Sequence, residues 1–272
     1  MARIVPLGWN QSWPRVHWCP VGIATFLPLH AAGRGCEAVM DRVVSCYTST
    51  ARALLHTRTP RTTGTPGSTL IVAVPDAPGL PILSGVDVEA AALRRLVPTA
   101  TTVPPPGLRT SRDGVLTALP HHEIAHFACH GITDWTDPAT SRLVLHDHVS
   151  RPLTVNDVSA LHLPDARLAY LSACSTSGTS LRYTDEATHL TSAFQLAGYR
   201  NVIGTLWPIN DRIAFAITRQ VYEHLTDNGA SPPRAERSAV ALHHAVRRHR
   251  NKYPQHPTLW SSHVHTGHGY RS

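Results

Sequence analysis

The sequence lacks the long apolar run that a membrane protein needs. No stretch approaches the roughly 20 apolar residues of a membrane-spanning helix. The N-terminal region has neither an uninterrupted apolar segment nor a small-residue cleavage site, so no signal peptide is predicted. Charged residues make up only 16% of the chain and hydrophobic residues 42%, which indicates a large buried core. We expect a globular cytoplasmic protein without membrane contact.

Cysteine is scarce too. The chain has an odd number of cysteines without any CxxC spacing: Cys19, Cys36, Cys46, Cys129 and Cys174. This pattern does not indicate a disulfide framework, and thiols stay free in a reducing compartment. A catalytic cysteine is therefore allowed but not implied.

Lysine is almost absent, since Lys252 is the only one and arginine carries the formal charge of +7. A basic balance can favour acidic partners or nucleic acid. The arginines are spread along the whole chain, however, and the densest basic run, 234–252, has no interleaved aromatic platform for stacking bases. We therefore predict a generally basic surface and no nucleic-acid partner.

Short apolar segments alternate with helical patterns. Segments 68–74, 123–130, 167–174 and 201–207 predict parallel strands buried on both faces. Helices are predicted over 87–96, 111–119, 154–161, 187–197, after Asn210, and over 235–250. A hairpin-like insert is predicted at 143–153, loops at 57–67 and 98–107, a weaker strand at 16–29 and a further segment at 43–55. This order favours an open α/β sheet with right-handed crossovers.

Two strand ends carry residues suited to nucleophilic catalysis. One apolar segment ends at His130-Gly131 and the next ends at Cys174. Ligands bind at the carboxyl ends of strands in such sheets, so neighbouring strands would bring His130 and Cys174 side by side. A nearby imidazole takes the thiol proton and activates the sulfur. Gly131 has no side chain, so its N–H can approach an oxyanion, with the N–H of Cys174 as second donor.

Each of these residues also has a structural interpretation. A cysteine at the end of an apolar strand is commonly a small core residue, and one histidine among 19 is commonly incidental. Their joint placement at two consecutive strand ends favours the catalytic pair. Cys129 fits the core interpretation better, because it points to the face opposite His130 in an extended strand.

The remaining histidines suggest no metal site. His146 and His148 lie in the insert and are expected to be exposed. His256, His263, His265 and His268 match no structural zinc spacing, and we interpret them as surface or packing residues. Neither a metal nor an organic cofactor is expected.

Several segments resemble CHAT domains, the caspase-like peptidase domains grouped with separases, caspases and gingipains. They are HFACHG (126–131), LAYLSACST (168–176), DEATHLTSAFQLAGYRNVIGTLWPIND (185–211) and LWSSHVHTG (259–267). With weaker upstream matches, the resemblance covers about 17–267 and predicts one domain over 1–272, with 1–16 as a leader. It implies a caspase-like three-layer α/β sandwich, in which a mostly parallel sheet has helices on both faces.

The resemblance also implies a function. The family's histidine falls on His130, its cysteine on Cys174, and its oxyanion glycine on Gly131. The caspase signature Q-A-C-[RQG]-G is absent, because Ser172 and Ser175 stand at the flanking positions, so cleavage after Asp is not supported. We expect a cysteine endopeptidase with a protein or peptide substrate and a regulatory or repeat-containing partner. The alternative is a non-catalytic interaction or sensor module on the same fold.

The resemblance further suggests a substrate pocket. In separases a similar Leu-Trp segment precedes an acidic residue that contacts the basic side chain before the cleaved bond. This places Asp211 in that role, with Asp185 and Glu186 as further acidic candidates, and implies a preference for Arg or Lys. Asp211 also suits the first turn of the helix after Asn210, where a carboxylate favours the helix dipole.

Overall fold

A computed structural model describes residues 13–34, 37–50, 67–103, 108–134, 136–172, 187–208 and 210–267. The strands are β1 Arg15–Trp18, β2 Gly33–Arg34, β3 Glu37–Ala38, β4 Val44–Tyr47, β5 Thr69–Ala73, β6 Thr101–Val103, β7 Ile124–Ala128, β8 Gly131–Ile132, β9 Arg142–Leu143, β10 Leu153–Thr154, β11 Leu168–Leu171, β12 Asn201–Thr205 and β13 His263–Gly267. The helices are α1 Val86–Leu96, α2 Arg112–Ala118, α3 Val155–Ser159, α4 Ala187–Ala197, α5 Asp211–Leu225 and α6 Ser238–Lys252.

Eight strands form the central sheet, in the order β1-β4-β13-β12-β11-β7-β5-β6. All neighbours are parallel except β12 and β13, which pair antiparallel. The four apolar segments form β5, β7, β11 and β12 in the middle of this sheet. Continuous apolar runs form such strands because both faces are covered. The mostly parallel sheet is confirmed.

Alternate side chains of these strands enter two separate cores. Leu70 and Val72 pack on one face with α2, α3 and α4. Ile71, Ile124 and Tyr170 pack on the other face with α1, α5 and α6. This alternation is the period of two that an extended strand imposes. The predicted three-layer α/β sandwich, with helices on both faces, is confirmed.

Local capping sets the helix starts. The hydroxyl of Thr154 accepts the N–H of Asp157 at 3.2 Å, and the Asp157 carboxylate accepts the N–H of Thr154 at 2.9 Å. Asn210 accepts the N–H of Arg212 through its side chain at 3.0 Å. Each contact satisfies a backbone donor that has no partner within the helix. The predicted starts of α3 and α5 are confirmed.

Gly198 ends α4, as predicted. Its φ of +126° suits glycine, and a Cβ there would collide with the carbonyl oxygen of Leu163. The N–H of Leu163 bonds to the carbonyl of Ala197 at 2.7 Å. The loop before β11 is therefore seated on the end of α4, which fixes the start of a strand that leads to the site.

The N-terminal prediction is mostly wrong. Within 16–29 only the first residues continue β1, and the rest forms short 3-10 turns at Gly22–Phe26 and Leu29–Ala31. Gly22, with a φ of +57°, and Pro28 interrupt extended backbone. The loop predicted at 98–107 contains β6, where Thr101, Thr102 and Val103 pair with the edge of β5. Segment 43–55 forms β4 and then leaves the described residues.

The strand β13 was not predicted, although it lies near the centre of the sheet. It pairs with β12 along its whole length and with β4 at Thr266. His263 and His265, interpreted from sequence as surface or packing residues, are buried packing residues there. The hairpin-like insert is confirmed, since β9 pairs antiparallel with both β8 and β10.

Candidate active site

The strands that precede the predicted catalytic residues are direct neighbours. β7 and β11 pair in parallel, with His126 opposite Tyr170 and Phe127 opposite Leu171. Their carboxyl ends therefore lie at the same edge of the sheet, as the sequence predicts. Cys174 lies two residues beyond Ser172 and outside the described residues, so its contact with His130 stays a prediction.

His130 is held in one orientation by a backbone carbonyl. Its Nε2 lies 2.7 Å from the carbonyl oxygen of Pro81, and the residue is 2% exposed. A carbonyl only accepts, so Nε2 carries the proton and Nδ1 of the neutral ring is an acceptor. Nδ1 is buried and has no hydrogen-bond partner among the described residues. No sequence feature indicates this orienting group.

Two further histidines hold the same loop. His146 Nε2 lies 3.2 Å from a carboxylate oxygen of Asp76, and His148 Nε2 lies 2.9 Å from the carbonyl oxygen of Pro78. The prediction that His146 and His148 are exposed is wrong, because the insert folds back onto the loop after β5. The residues that carry the Pro81 carbonyl are thus anchored at two points upstream of it.

The backbone N–H of Gly131 points away from its hairpin partner. The N–H of Val144 donates to the carbonyl of His130 at 2.8 Å, which makes these two residues a hydrogen-bonded pair of the β8–β9 ladder. Hydrogen-bonded and non-bonded pairs alternate in an antiparallel ladder, so Gly131 and Leu143 form a non-bonded pair. The Gly131 N–H is directed to the outer side of the hairpin.

Cys129 is a core residue, as predicted. It is 1% exposed and belongs to the core that contains Phe127 and Val144. Burial raises the pKa of its thiol to about 12, so the sulfur stays protonated at neutral pH. Among the described cysteines Cys46 is also buried and Cys19 is exposed, and all three are free thiols.

A cleft opens beside His130, and it is lined by residues from four parts of the chain: Leu83, Gly85, Val86, Glu89, Cys129, His130, Ser172, Asp211 and Ala214. The structure thus brings together His130 and Asp211 from the sequence prediction. Asp211 is exposed and is the first residue of α5. The other acidic candidates, Asp185 and Glu186, lie outside the described residues.

Two residues of the cleft were missed. Glu89 stands in the first turn of α1, where the sequence suggests an ordinary favourable interaction with the helix dipole. Ser172 was noted only as a departure from the caspase signature. Contact between Glu89 of α1 and Ser172, the residue after β11, depends on the tertiary fold, and no sequence signal identifies it.

The described residues contain no group of three or more His, Cys, Asp or Glu side chains placed to hold a metal ion. In the same part of the chain, every helix is too short or too polar to cross a membrane.

The fold is similar to that of cysteine peptidases of known structure. The Arg specific cysteine proteinase gingipain R is 14% identical, with a TM-score of 0.52, and the match covers 80% of this chain and 50% of that one. The separase of the Saccharomyces cerevisiae separase–securin complex is 12% identical, with a TM-score of 0.59, and the match covers 90% of this chain but 14% of that one. No curated protein sequence matches the chain. At these identities the likeness shows the caspase-like fold.

The sequence itself shows the family. The model of the CHAT domain matches residues 3–268, nearly the whole chain, and extends further toward the N-terminus than the motifs noted above. Together with the caspase-like fold of its structural neighbours, this match establishes that the chain belongs to the CHAT domain family.

Proposed function

We propose that the chain is a cysteine endopeptidase that acts through His130 and Cys174. The observation that carries this proposal is the orientation of the His130 imidazole. The residue lies at the carboxyl ends of the strands, beside β11, and its Nε2–H donates to the carbonyl oxygen of Pro81. The free lone pair on Nδ1 is suited to take the thiol proton of Cys174. The resulting thiolate attacks the scissile carbonyl, and the imidazolium then protonates the leaving amine. Water hydrolyses the acyl-enzyme.

The oxyanion of the tetrahedral intermediate needs donors that are already in place. The N–H of Gly131 is directed away from its ladder partner, and the N–H of Cys174 is the second donor of the proposal. Backbone donors fixed by a hairpin lose little entropy when the charge develops, so they stabilise the transition state effectively.

The structural neighbours support this class of activity. Gingipain R and separase are similar in fold, and gingipain R is described as an Arg specific cysteine proteinase. The separase structure is a complex with securin, which supports a protein partner for this chain. We also keep the prediction of a cytoplasmic location, with which the free thiols Cys19, Cys46 and Cys129 agree.

The test is cleavage of a peptide library by the wild-type chain and by Cys174→Ala. We expect cleavage by the wild type only, and faster alkylation of Cys174 by iodoacetamide than of the other four cysteines, because a neighbouring imidazole raises its thiolate fraction. If no peptide is cleaved and Cys174 is alkylated no faster than exposed Cys19, the chain is an interaction or sensor module.

We further propose that the enzyme prefers Arg or Lys before the scissile bond and that Asp211 contributes to this preference. Asp211→Asn is expected to lower kcat/KM for Arg peptides by about threefold, because its carboxylate lines the cleft beside His130 but is exposed to solvent. Asp185→Asn and Glu186→Gln belong in the same assay as the other proposed acidic residues.

Asp87→Asn is the matched control for Asp211→Asn. Asp87 is also an exposed carboxylate in the first turn of a helix, but it does not line the cleft. If Asp211→Asn lowers the melting temperature as Asp87→Asn does and leaves the Arg preference intact, Asp211 acts on the helix dipole alone.

A further inference from the structure

The floor of the cleft contains a buried carboxylate that the sequence did not single out. Glu89 is 5% exposed and faces the sheet from α1. The hydroxyl of Ser172 donates to its Oε2 at 3.2 Å. The Nε2 of His126 lies 3.0 Å from Oε1, but without hydrogen-bond geometry, so Oε1 has no hydrogen-bond donor among the described residues. One carboxylate oxygen is thus buried and unsatisfied.

No arginine or lysine in the described part of the chain forms an ion pair with Glu89. The groups near it are the imidazole of His126 and the hydroxyls of Ser172 and Tyr222. Burial, with Tyr170 and Glu89 as further causes, raises the pKa of Tyr222 well above its ordinary value of 10. A buried carboxylate oxygen without a donor is costly, and a cation entering the cleft would relieve that cost.

The lining of the cleft combines apolar side chains with carboxylates, a chemistry that suits a cation on an apolar stem. Leu83, Val86 and Ala214 supply apolar wall, which suits methylene groups. Asp211 is exposed at the side of the cleft, whereas Glu89 is buried, so the two carboxylates lie at different depths. The side chains of arginine and lysine combine such a stem with a terminal positive charge.

We propose that Glu89 is the main specificity-determining charge of the cleft and that it binds the basic side chain before the scissile bond, with Asp211 in a secondary role. This rests on the proposed peptidase function of the same site. A buried charge acts at a lower effective dielectric and with less salt screening than an exposed one. Glu89 therefore contributes more to the selection of a basic side chain than Asp211 does.

The test measures binding without catalysis. Nα-acetyl-arginine amide and its neutral isostere Nα-acetyl-citrulline amide are titrated calorimetrically into the Cys174→Ala chain at low and high salt. We expect binding of the arginine compound at least tenfold tighter than of the citrulline compound. Glu89→Gln should remove most of this difference, while Asp211→Asn should remove less of it and only at low salt. Asp87→Asn, in the same turn of α1, is the control. It should change the affinity for neither the arginine compound nor the citrulline compound.

Glu89→Gln keeps the shape and an acceptor for Ser172, so a merely structural role of Glu89 would leave the arginine–citrulline difference intact. That outcome, or equal binding of the two compounds by Cys174→Ala, overturns the inference. If Glu89→Gln does not fold, Gly85→Val decides, because Gly85 lines the cleft with an ordinary backbone conformation (φ −78°, ψ −22°). Unchanged arginine binding in Gly85→Val also overturns the inference.

The same variants separate this inference from the proposed function. If the wild-type chain binds the arginine compound through Glu89 but cleaves no peptide, the proposed peptidase function is contradicted and the proposed cation site is retained. If the wild-type chain cleaves peptides and Glu89→Gln still prefers the arginine compound to the citrulline compound, the proposed cation site is contradicted and the proposed peptidase function is retained.

Discussion

Replacing either Cys174 or His130 with alanine is expected to lower kcat/KM for peptide cleavage by about 10⁴-fold or more. The nucleophile and its base act as one unit, so the double variant should be little slower than either single variant. His130 already has the orientation that this role needs, since its Nε2 proton is bound to the Pro81 carbonyl. Initial rates on a fluorogenic Arg peptide measure the effect.

Cys129→Ala is the control for these variants. Cys129 is one residue from His130 but its thiol is buried, and burial raises its pKa to about 12, so activity should be retained with a modest loss of stability. Multiplicative losses in the double variant would show that the two residues act independently. Wild-type-like cleavage by Cys174→Ala would contradict the proposed mechanism outright.

Acid is expected to destabilise the domain strongly between about pH 6.5 and pH 4. His30, His243 and His263 line one small cavity between α6 and the sheet. Burial, the largest cause in each case, lowers the pKa of His30 from 6.5 to about 4 and the pKa values of His243 and His263 to about 3. Nearby His244 and Arg247 lower the pKa of His243 further, and Asp41 partly opposes them.

The direction follows from proton binding. Below pH 6.5 the unfolded chain protonates these histidines and the folded chain does not, so stability falls as the pH falls toward the folded pKa values. Each histidine contributes about 2 kcal/mol between pH 7 and pH 5. Carboxylates act in a lower range, because the pKa of Asp157 is lowered from 3.8 to about 2, chiefly by hydrogen bonds from Arg112 and Thr154 against the opposing effect of burial.

Urea unfolding at pH 7 and pH 5 checks this prediction. In His243→Gln the difference in unfolding free energy between the two pH values should shrink by about 2 kcal/mol. His256→Gln, at an exposed position, should leave the difference unchanged. Equal stability of the wild type at both pH values would show that these histidines are not buried in the neutral form.

The sequence by itself determined the parallel core of the fold. Continuous apolar runs with helices between them leave few alternatives to a sheet covered on both faces. Local chemistry also set several boundaries, since the Thr154–Asp157 box and Gly198 act within a few residues of their own positions. His130 and Gly131 were found because the end of a buried strand is visible in sequence. The pairing of β7 with β11 was predicted because their two apolar segments are consecutive in the chain.

Tertiary structure alone decided what surrounds these residues. The Pro81 carbonyl that orients His130 is 49 residues away in sequence, and Glu89 meets Ser172 across 83 residues. β13 was missed because its histidines look polar in sequence. They are buried since β13 lies between β12 and β4 in the sheet and helix α6 covers the strand. The burial of a polar side chain can be predicted only when the groups that contact it are known, and those groups come from distant parts of the chain.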